Sequence, residues 1–379
     1  MSTKKPLYSQ IQDYIMNQID KGTWPPHYQI PPEREIADQF QVSRITAKHA
    51  MLGLVNDGYL YRHRGKGTFV TDRNDHPPQQ ETVTPIFAPK PQPNKKLIGF
   101  IMPWMESYYS SLLISGVEAA LTQLSYHFVY KRISNREEES KAIHDFLNIP
   151  VDGMIIVASQ GEQHFNDDIV RLVLNKHPVV LVERTMRDIR TNGVYCNTKE
   201  IGMLMVDYLH KREAKNIALV TYPPLYTIGV SDRVNGFQNA LLQKGLEPLS
   251  LERILSISTD ILDQSNNEGI PSEMIAFLEN NRNLDAIATV DALLAQYIGK
   301  ACVKLNLEHI DIICCDQPLL YPDCVSPIAY IDQSPFEMGT IAAQMIVDSI
   351  VNHTEPRKQT ITPKLVEISG EPVYSSTKN

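Results

Sequence analysis

The sequence predicts a small α+β head, a Pro-rich linker and a large α/β body of two lobes. Three observations carry this expectation. Residues 1–72 combine three helical periods with a glycine-tipped pair of strands, and residues 73–96 lack apolar periodicity. From Leu97 onward, strand-like and helix-length segments alternate, which implies parallel sheets covered by helices on both faces.

The chain has 379 residues, enough for two or three cores, and its 42% apolar and 21% charged residues are ordinary for a soluble protein. No apolar run approaches the roughly 18 residues of a membrane span. The opening MSTKKPLYSQ lacks a signal-peptide core, so the expected location is the cytoplasm. The five cysteines form no C-x-x-C pair and are read as reduced thiols. Neither a metal nor a cofactor is expected. The net charge of −8 hides an asymmetry: residues 1–94 carry 11 Lys/Arg against 9 Asp/Glu, leaving 25 against 35 for the rest. Within Ser43–Val70 five bases meet one acid, Asp57, a footprint that suits a phosphate backbone.

In the head, Leu7, Ile11, Ile15 and Ile19 repeat at helical spacing after Pro6, and GTWPP stops them. A second helix fits Glu33 to Phe40, with Ile36, Ala37 and Phe40 inward. Ser43 then N-caps a third helix that buries Ala47, Ala50, Met51, Leu54 and Val55 and ends at Gly58. Its opposite face presents Arg44, Ile45, Lys48 and His49, the arrangement of a helix-turn-helix. Ile45 is either a contact for a thymine methyl or an exposed apolar residue. HRGKGTFV follows, and a nucleotide-binding loop fails there: the first glycine position falls on Leu60, and Gly67 follows Lys66. Tyr59–Arg64 and Thr68–Val70 are instead expected to pair as a hairpin with Gly65-Lys66-Gly67 at its tip, lying against DNA; the plainer reading is a solvated hairpin whose charges serve solubility.

Residues 6–70 resemble the winged-helix domain of the GntR family of bacterial transcription regulators, through IPPEREIADQFQVSRITAKHAMLGLVNDGYL and GKGTFV. The resemblance implies operator contacts from Arg34, Ser43, Arg44, Thr46, Lys48 and Gly65, with Arg64 and Lys66 adding charge at the hairpin. The family more often has Ser or Thr at Pro32 and Arg at Lys48; lysine cannot make arginine's bidentate contact to guanine. Thr71–Lys96 contains six prolines and is expected to be an extended spacer that lets the head reorient.

In the body, LIGFIM, YHFVYKR, GMIIVA, PVVLVE, NIALVT, AIATV and DIICC read as strands, with helices at Ser111–Leu124, Glu137–Leu147 and Val230–Lys244. Ligands of such sheets bind beyond the carboxyl ends of strands, here in a cleft between lobes. G-x-G-x-x-G, G-x-S-x-G and H-E-x-x-H are all absent, and DQSNNEG is read as a polar turn, so no enzyme is expected. Residues at strand ends suit polyol recognition instead: Trp104, Tyr108 and Tyr109, Arg184, Arg233 and Asp291. Each has a plainer reading, with the tyrosines in a core, Arg184 a surface charge and Asp291 a helix cap.

Residues 97–369 resemble the effector-binding core of LacI-family repressors, itself similar to periplasmic sugar-binding proteins. VDGMIIVAS, PVVLVER, SDRVNGFQNAL, LDAIATVDALLAQ, HIDIICCDQ and AYIDQSPFEMG carry the match. It implies effector contacts from Arg233 and Asp291, looser ones from Tyr109 and Ser110, and a hinge glutamine at Gln333. Cys315 stands where that family has glycine, Asn197-Thr198 where it has Asp-Asn, and the closing R-x-S-T is missing. Head plus core resembles the arabinose-repressor branch of the GntR family. That resemblance implies a homodimer on double-stranded operator DNA whose affinity is set by a small sugar. A nucleoside effector, or an enzyme carrying a DNA-binding head, is the alternative.

Overall fold

The computed structural model describes residues 6–63, 66–72, 96–103, 108–149, 151–159, 166–184, 190–223, 228–264 and 269–368. The linker, expected at 73–96, lies outside the described residues apart from Lys96, as do Arg64, Gly65 and Trp104.

Three helices and a hairpin form the head. Helix α1 (Leu7–Asp20) buries Ile11 and Ile15 completely, each worth about 1.5–3 kcal/mol of transfer free energy. α2 (Glu33–Phe40) turns through Gln41, which is left-handed at φ 51°, into α3 (Arg44–Asn56). Ser43 caps α3 by accepting from the Thr46 amide at 3.2 Å. At the other end Gly58, at φ 76°, lets Gly58 N donate to Val55 O and Tyr59 N to Leu54 O, a Schellman closure. β1 (Leu60–His63) pairs antiparallel with β2 (Gly67–Val70), Leu60 opposite Val70. Trp24, Ile30, Ile36, Met51, Leu54, Leu60 and Val70 complete the core of the head.

Two six-stranded sheets follow. The first contains β3 (Leu97–Pro103), then α4 (Tyr108–Gln123) leaves it for β4 (His127–Ile133), α5 (Arg136–Asn148), β5 (Gly153–Val157), α6 (Asp167–Leu174), β6 (Val179–Val182) and β7 (Asn192–Cys196). The second is assembled from α7 (Thr198–Lys211), β8 (Ile217–Thr221), α8 (Ile228–Gln243), β9 (Ile254–Ser256), α9 (Thr259–Gln264), α10 (Ser272–Asn280), β10 (Ala286–Thr289), α11 (Ala292–Lys304), β11 (Asp311–Cys315) and β12 (Ala329–Asp332). α12 (Pro335–Asn352), β13 (Lys358–Ile361) and β14 (Lys364–Glu367) close the chain's described part. Strand orders are β13-β7-β6-β5-β3-β4 and β14-β12-β11-β10-β8-β9. β3 is parallel to β4 and β5, and β5 to β6. In the second sheet only the β12–β14 pair is antiparallel among the described pairings. β5, β6, β8 and β10 are buried along their whole length, as strands covered on both faces must be.

By compactness the chain divides into two units. One holds residues 1–104, 124–193 and 344–358, so the head groups with the first lobe. The other holds 105–123, 194–343 and 359–379. All seven strands read from the sequence are present. β7, β9 and the short strands from β12 onward were not read as separate strands.

Candidate functional site

The expected DNA-contacting residues differ in exposure. Arg34, Ser43, Arg44 and, on the hairpin, Lys66 are exposed. The Lys66 carbonyl accepts from Gln29 Nε2 at 2.7 Å, and Gly67 at φ 125° makes the turn that a side chain would strain. Ser43 Oγ also lies 2.9 Å from Thr46 Oγ1, so these two residues order the start of α3.

One expectation is corrected. The face of α3 expected to lie open is covered, because α3 packs on α6 of the first lobe. Ile45, Thr46, Lys48 and His49 are all buried, and Ile45 and Leu52 join the hydrophobic cluster of that lobe, not of the head. Lys48 forms an ion pair with Asp167, which also pairs with Arg62 at 3.2 Å and Arg136 at 3.4 Å. Glu33 holds Arg62 at 2.5 Å and Arg44 at 3.5 Å. Burial lowers the Lys48 pKa, and the Asp167 carboxylate offsets this only partly. Burial acts to raise the Asp167 pKa, but Lys48, Arg62 and Arg136 together hold it below the usual range. The two shifts are compatible, because Asp167 faces three cations whereas Lys48 has the nearby Arg136 charge against it.

In the second unit, polar groups converge at the carboxyl ends of parallel strands. Arg233 of α8 donates from Nη1 to the Val290 carbonyl at 2.8 Å and from Nη2 to Gln333 Oε1 at 3.1 Å. Gln333 Nε2 in turn donates to Asp316 Oδ1 at 2.7 Å. Asp291 follows β10 and caps α11, accepting from the Leu294 amide at 2.9 Å. Burial pushes the Asp291 carboxyl above its usual range, opposed by the Leu294 amide, the Tyr222 hydroxyl and the Arg233 charge. Arg233, Asp291 and Gln333, expected from the sequence, are thus brought together. Asp316 and Tyr222 were missed, although each directly follows a strand (β11 and β8), the same signal that marked Asp291. Asp316 adopts φ 68°, a left-handed backbone unusual outside glycine, where the resembled family has glycine one residue earlier. The cluster thus gathers one guanidinium, two carboxyl groups and an amide at neighbouring strand ends.

Tyr109 and Ser110 are buried in the first turn of α4, and Tyr108 is exposed. Arg184 belongs to the first lobe and is tied down there, donating from Nη1 to the Ala158 carbonyl. Beside it, buried Glu139 accepts from the Ser159 amide at 2.6 Å. Burial raises the Glu139 pKa against the pull of that amide.

Comparison with known proteins agrees with this fold. Residues 7–70 match the model of bacterial regulatory proteins of the gntR family, and residues 95–368 match periplasmic binding proteins and the sugar binding domain of the LacI family. The chain is 28% identical over 258 residues to the arabinose metabolism transcriptional repressor of Geobacillus stearothermophilus, covering 67% of this chain and 66% of that protein. It is 24% identical over 389 residues to the repressor of the same description from Halalkalibacterium halodurans, covering 97% and 96%. Among solved structures, the transcriptional regulator CelR–cellobiose complex aligns with a TM-score of 0.63 at 17% identity, over 87% of this chain and 92% of that one. The periplasmic binding ribose operon repressor protein of Lactobacillus acidophilus aligns at 0.58 with 20% identity, over 72% and 97%. The chain therefore belongs to the family of periplasmic binding proteins and LacI-type sugar-binding domains, and it carries a gntR-family DNA-binding head.

Proposed function

We propose that the protein is a transcription repressor of carbohydrate-utilisation genes whose operator affinity is set by a small sugar. The observation that carries this reading is the Arg233–Gln333–Asp316 hydrogen-bonded chain beside Asp291, at strand ends of a body that shares its chain with a helix-turn-helix. The names of its relatives, two of them arabinose metabolism repressors, support it. In this reading residues 1–72 bind DNA, 73–96 form the linker and 97–379 bind effector and form a homodimer. Two heads then meet a pseudo-palindromic operator in the cytoplasm, and no catalysis is involved. Arg34, Ser43, Arg44, Thr46, Lys48, Arg64, Gly65 and Lys66 contact DNA. Trp104, Tyr108, Tyr109, Ser110, Arg184, Arg233, Asp291 and Gln333 serve the effector. No described helix is long and apolar enough to cross a membrane.

The test is a thermal-shift screen of the full chain against pentoses, hexoses, disaccharides, sugar phosphates and nucleosides. A ligand at 100 Kd stabilises by about 2.7 kcal/mol, an easily read shift. A saturable sugar response is expected. A response to nucleosides alone would replace the sugar in this reading.

A further inference from the structure

Helix α3 is apolar on two sides. One stripe, Ala47, Ala50, Met51 and Leu54, fills the head's own core. The second, Ile45 and Leu52, is seven residues apart and so lies on one face, with Lys48 between. A helix with a single partner keeps its opposite side polar, so a second apolar stripe calls for a second cover. The second cover is the first lobe, whose cluster includes Ile45 and Leu52 with Ala142, Ile143, Ile169 and Val170.

The covered face is also the one a helix-turn-helix lays into the major groove. That groove is about 12 Å wide and admits one bare helix, so α3 cannot enter it while α6 lies against it. The charges tell the same story. Asp167 on α6 of the lobe holds two cations of the head, Lys48 and Arg62, in ion pairs. We propose that the first lobe competes with the operator for α3, with Asp167 on α6 standing where a DNA phosphate would, so that the chain alternates between a docked, DNA-silent state and an undocked, DNA-binding state. The proposal rests on the reading of α3 as the operator-reading helix.

The latch is wired to the strand ends of its lobe. Asn166 caps α6 through the Asp168 amide at 3.1 Å, and its Nδ2 donates to the Arg136 carbonyl at 3.1 Å and to Ser140 Oγ at 2.8 Å on α5. The next α5 residue inward, Glu139, accepts the Ser159 amide just beyond β5. These bonds connect the N-cap of α6, the residue before Asp167, to the end of β5 through one helix.

The experiment compares the full-length wild type, Asp167→Asn, Glu137→Gln and Arg44→Ala on a labelled duplex that the wild type selects from a random-sequence pool. Affinity is read by fluorescence anisotropy, and amide exchange across α6 is followed with and without duplex. Glu137 is an exposed carboxylate on α5, so its substitution controls for the loss of one negative charge. Asp167→Asn should tighten the apparent Kd about 5- to 10-fold, because it raises the undocked fraction, while Glu137→Gln stays within about twofold of wild type. Duplex should speed exchange in wild-type α6 by uncovering it. Equal affinities for Asp167→Asn and Glu137→Gln, or an α6 exchange rate indifferent to duplex, would overturn the proposal. If Arg44→Ala binds as well as wild type, the failure belongs to the reading of α3 instead.

Discussion

Arg233 and Gln333, one hundred positions apart in sequence, are joined by a 3.1 Å hydrogen bond that Gln333 extends to Asp316 at 2.7 Å. The guanidinium is held by two acceptors from separate strand ends, which fixes its plane. Lysine in its place keeps the charge and loses the fork. Arg233→Lys should weaken sugar binding by about 2 kcal/mol, roughly 30-fold, with operator affinity unchanged. Calorimetry with the sugar and anisotropy with the operator separate the two. Loss of both would make Arg233 a folding residue.

Asp291 serves as cap and as candidate ligand at once, and two substitutions part the roles. Asparagine caps as well as aspartate, whereas alanine gives up about 1 kcal/mol of stability. Asp291→Asn should therefore unfold like wild type yet lose the effector response, and Asp291→Ala should lose both. Unaltered sugar affinity in Asp291→Asn would leave Asp291 as a cap alone.

Gly202 of α7 and Gly236 of α8 let these helices cross at backbone distance. A Cβ on Gly236 would overlap the Lys199 carbonyl oxygen, and one on Gly202 would overlap the Arg233 carbonyl oxygen. Gly236→Ala should cost about 1–3 kcal/mol and move α8, taking Arg233 with it. Denaturant unfolding and sugar titration should both register the change.

His177 should make stability sag in mild acid. Burial of its ring pulls the pKa down from 6.5 to about 4, against an upward pull from Asp152. Its Nε2 has no hydrogen-bond partner among the described residues. Because the folded value is the lower one, the unfolded chain binds more protons between pH 6.5 and pH 4. Stability is thus full above pH 6.5 and falls as pH drops through that window, by at most about 3 kcal/mol from this residue. His49, also buried and lowered to about 4, adds a similar loss. Unfolding midpoints from pH 7 to pH 4 should fall less steeply in His177→Gln.

Arg44 and Arg34 should behave differently on DNA. If Arg44 reads a base, Arg44→Ala costs about 1–3 kcal/mol at one operator position. If Arg34 holds phosphate, Arg34→Ala weakens every sequence alike and flattens the salt dependence by about one unit of slope. Competition with single-site operator variants reports which pattern each follows.

Much of this molecule could be read from residues alone. The caps at Ser43 and Asp291, the turn before α3 and the buried parallel strands each rest on local chemistry, and each is present. β7 was hidden because Asn192-Gly-Val-Tyr-Cys mixes polar and apolar residues, and β13 and β14 because four-residue strands with exposed ends carry little pattern. Asp316 was passed over because its role depends on Gln333, which only the fold brings to it. The covered face of α3 is more instructive. Ile45 was visible as an apolar residue off the head's core, and Leu52 was passed over, but nothing in the sequence around them says which surface receives them. That information lies in α6, more than a hundred residues away.

In the proposed function one chain couples a sugar to an operator. The direct measurement is the operator Kd of the full-length protein, titrated with whichever sugar stabilises it. A coupled regulator shows an operator Kd that shifts with sugar to a plateau, and the sugar Kd shifts by the same factor when operator is added. Asp291→Asn should hold the operator Kd flat. A sugar that binds tightly and leaves the operator Kd unchanged would contradict the account, since a ligand with equal affinity for both states moves neither.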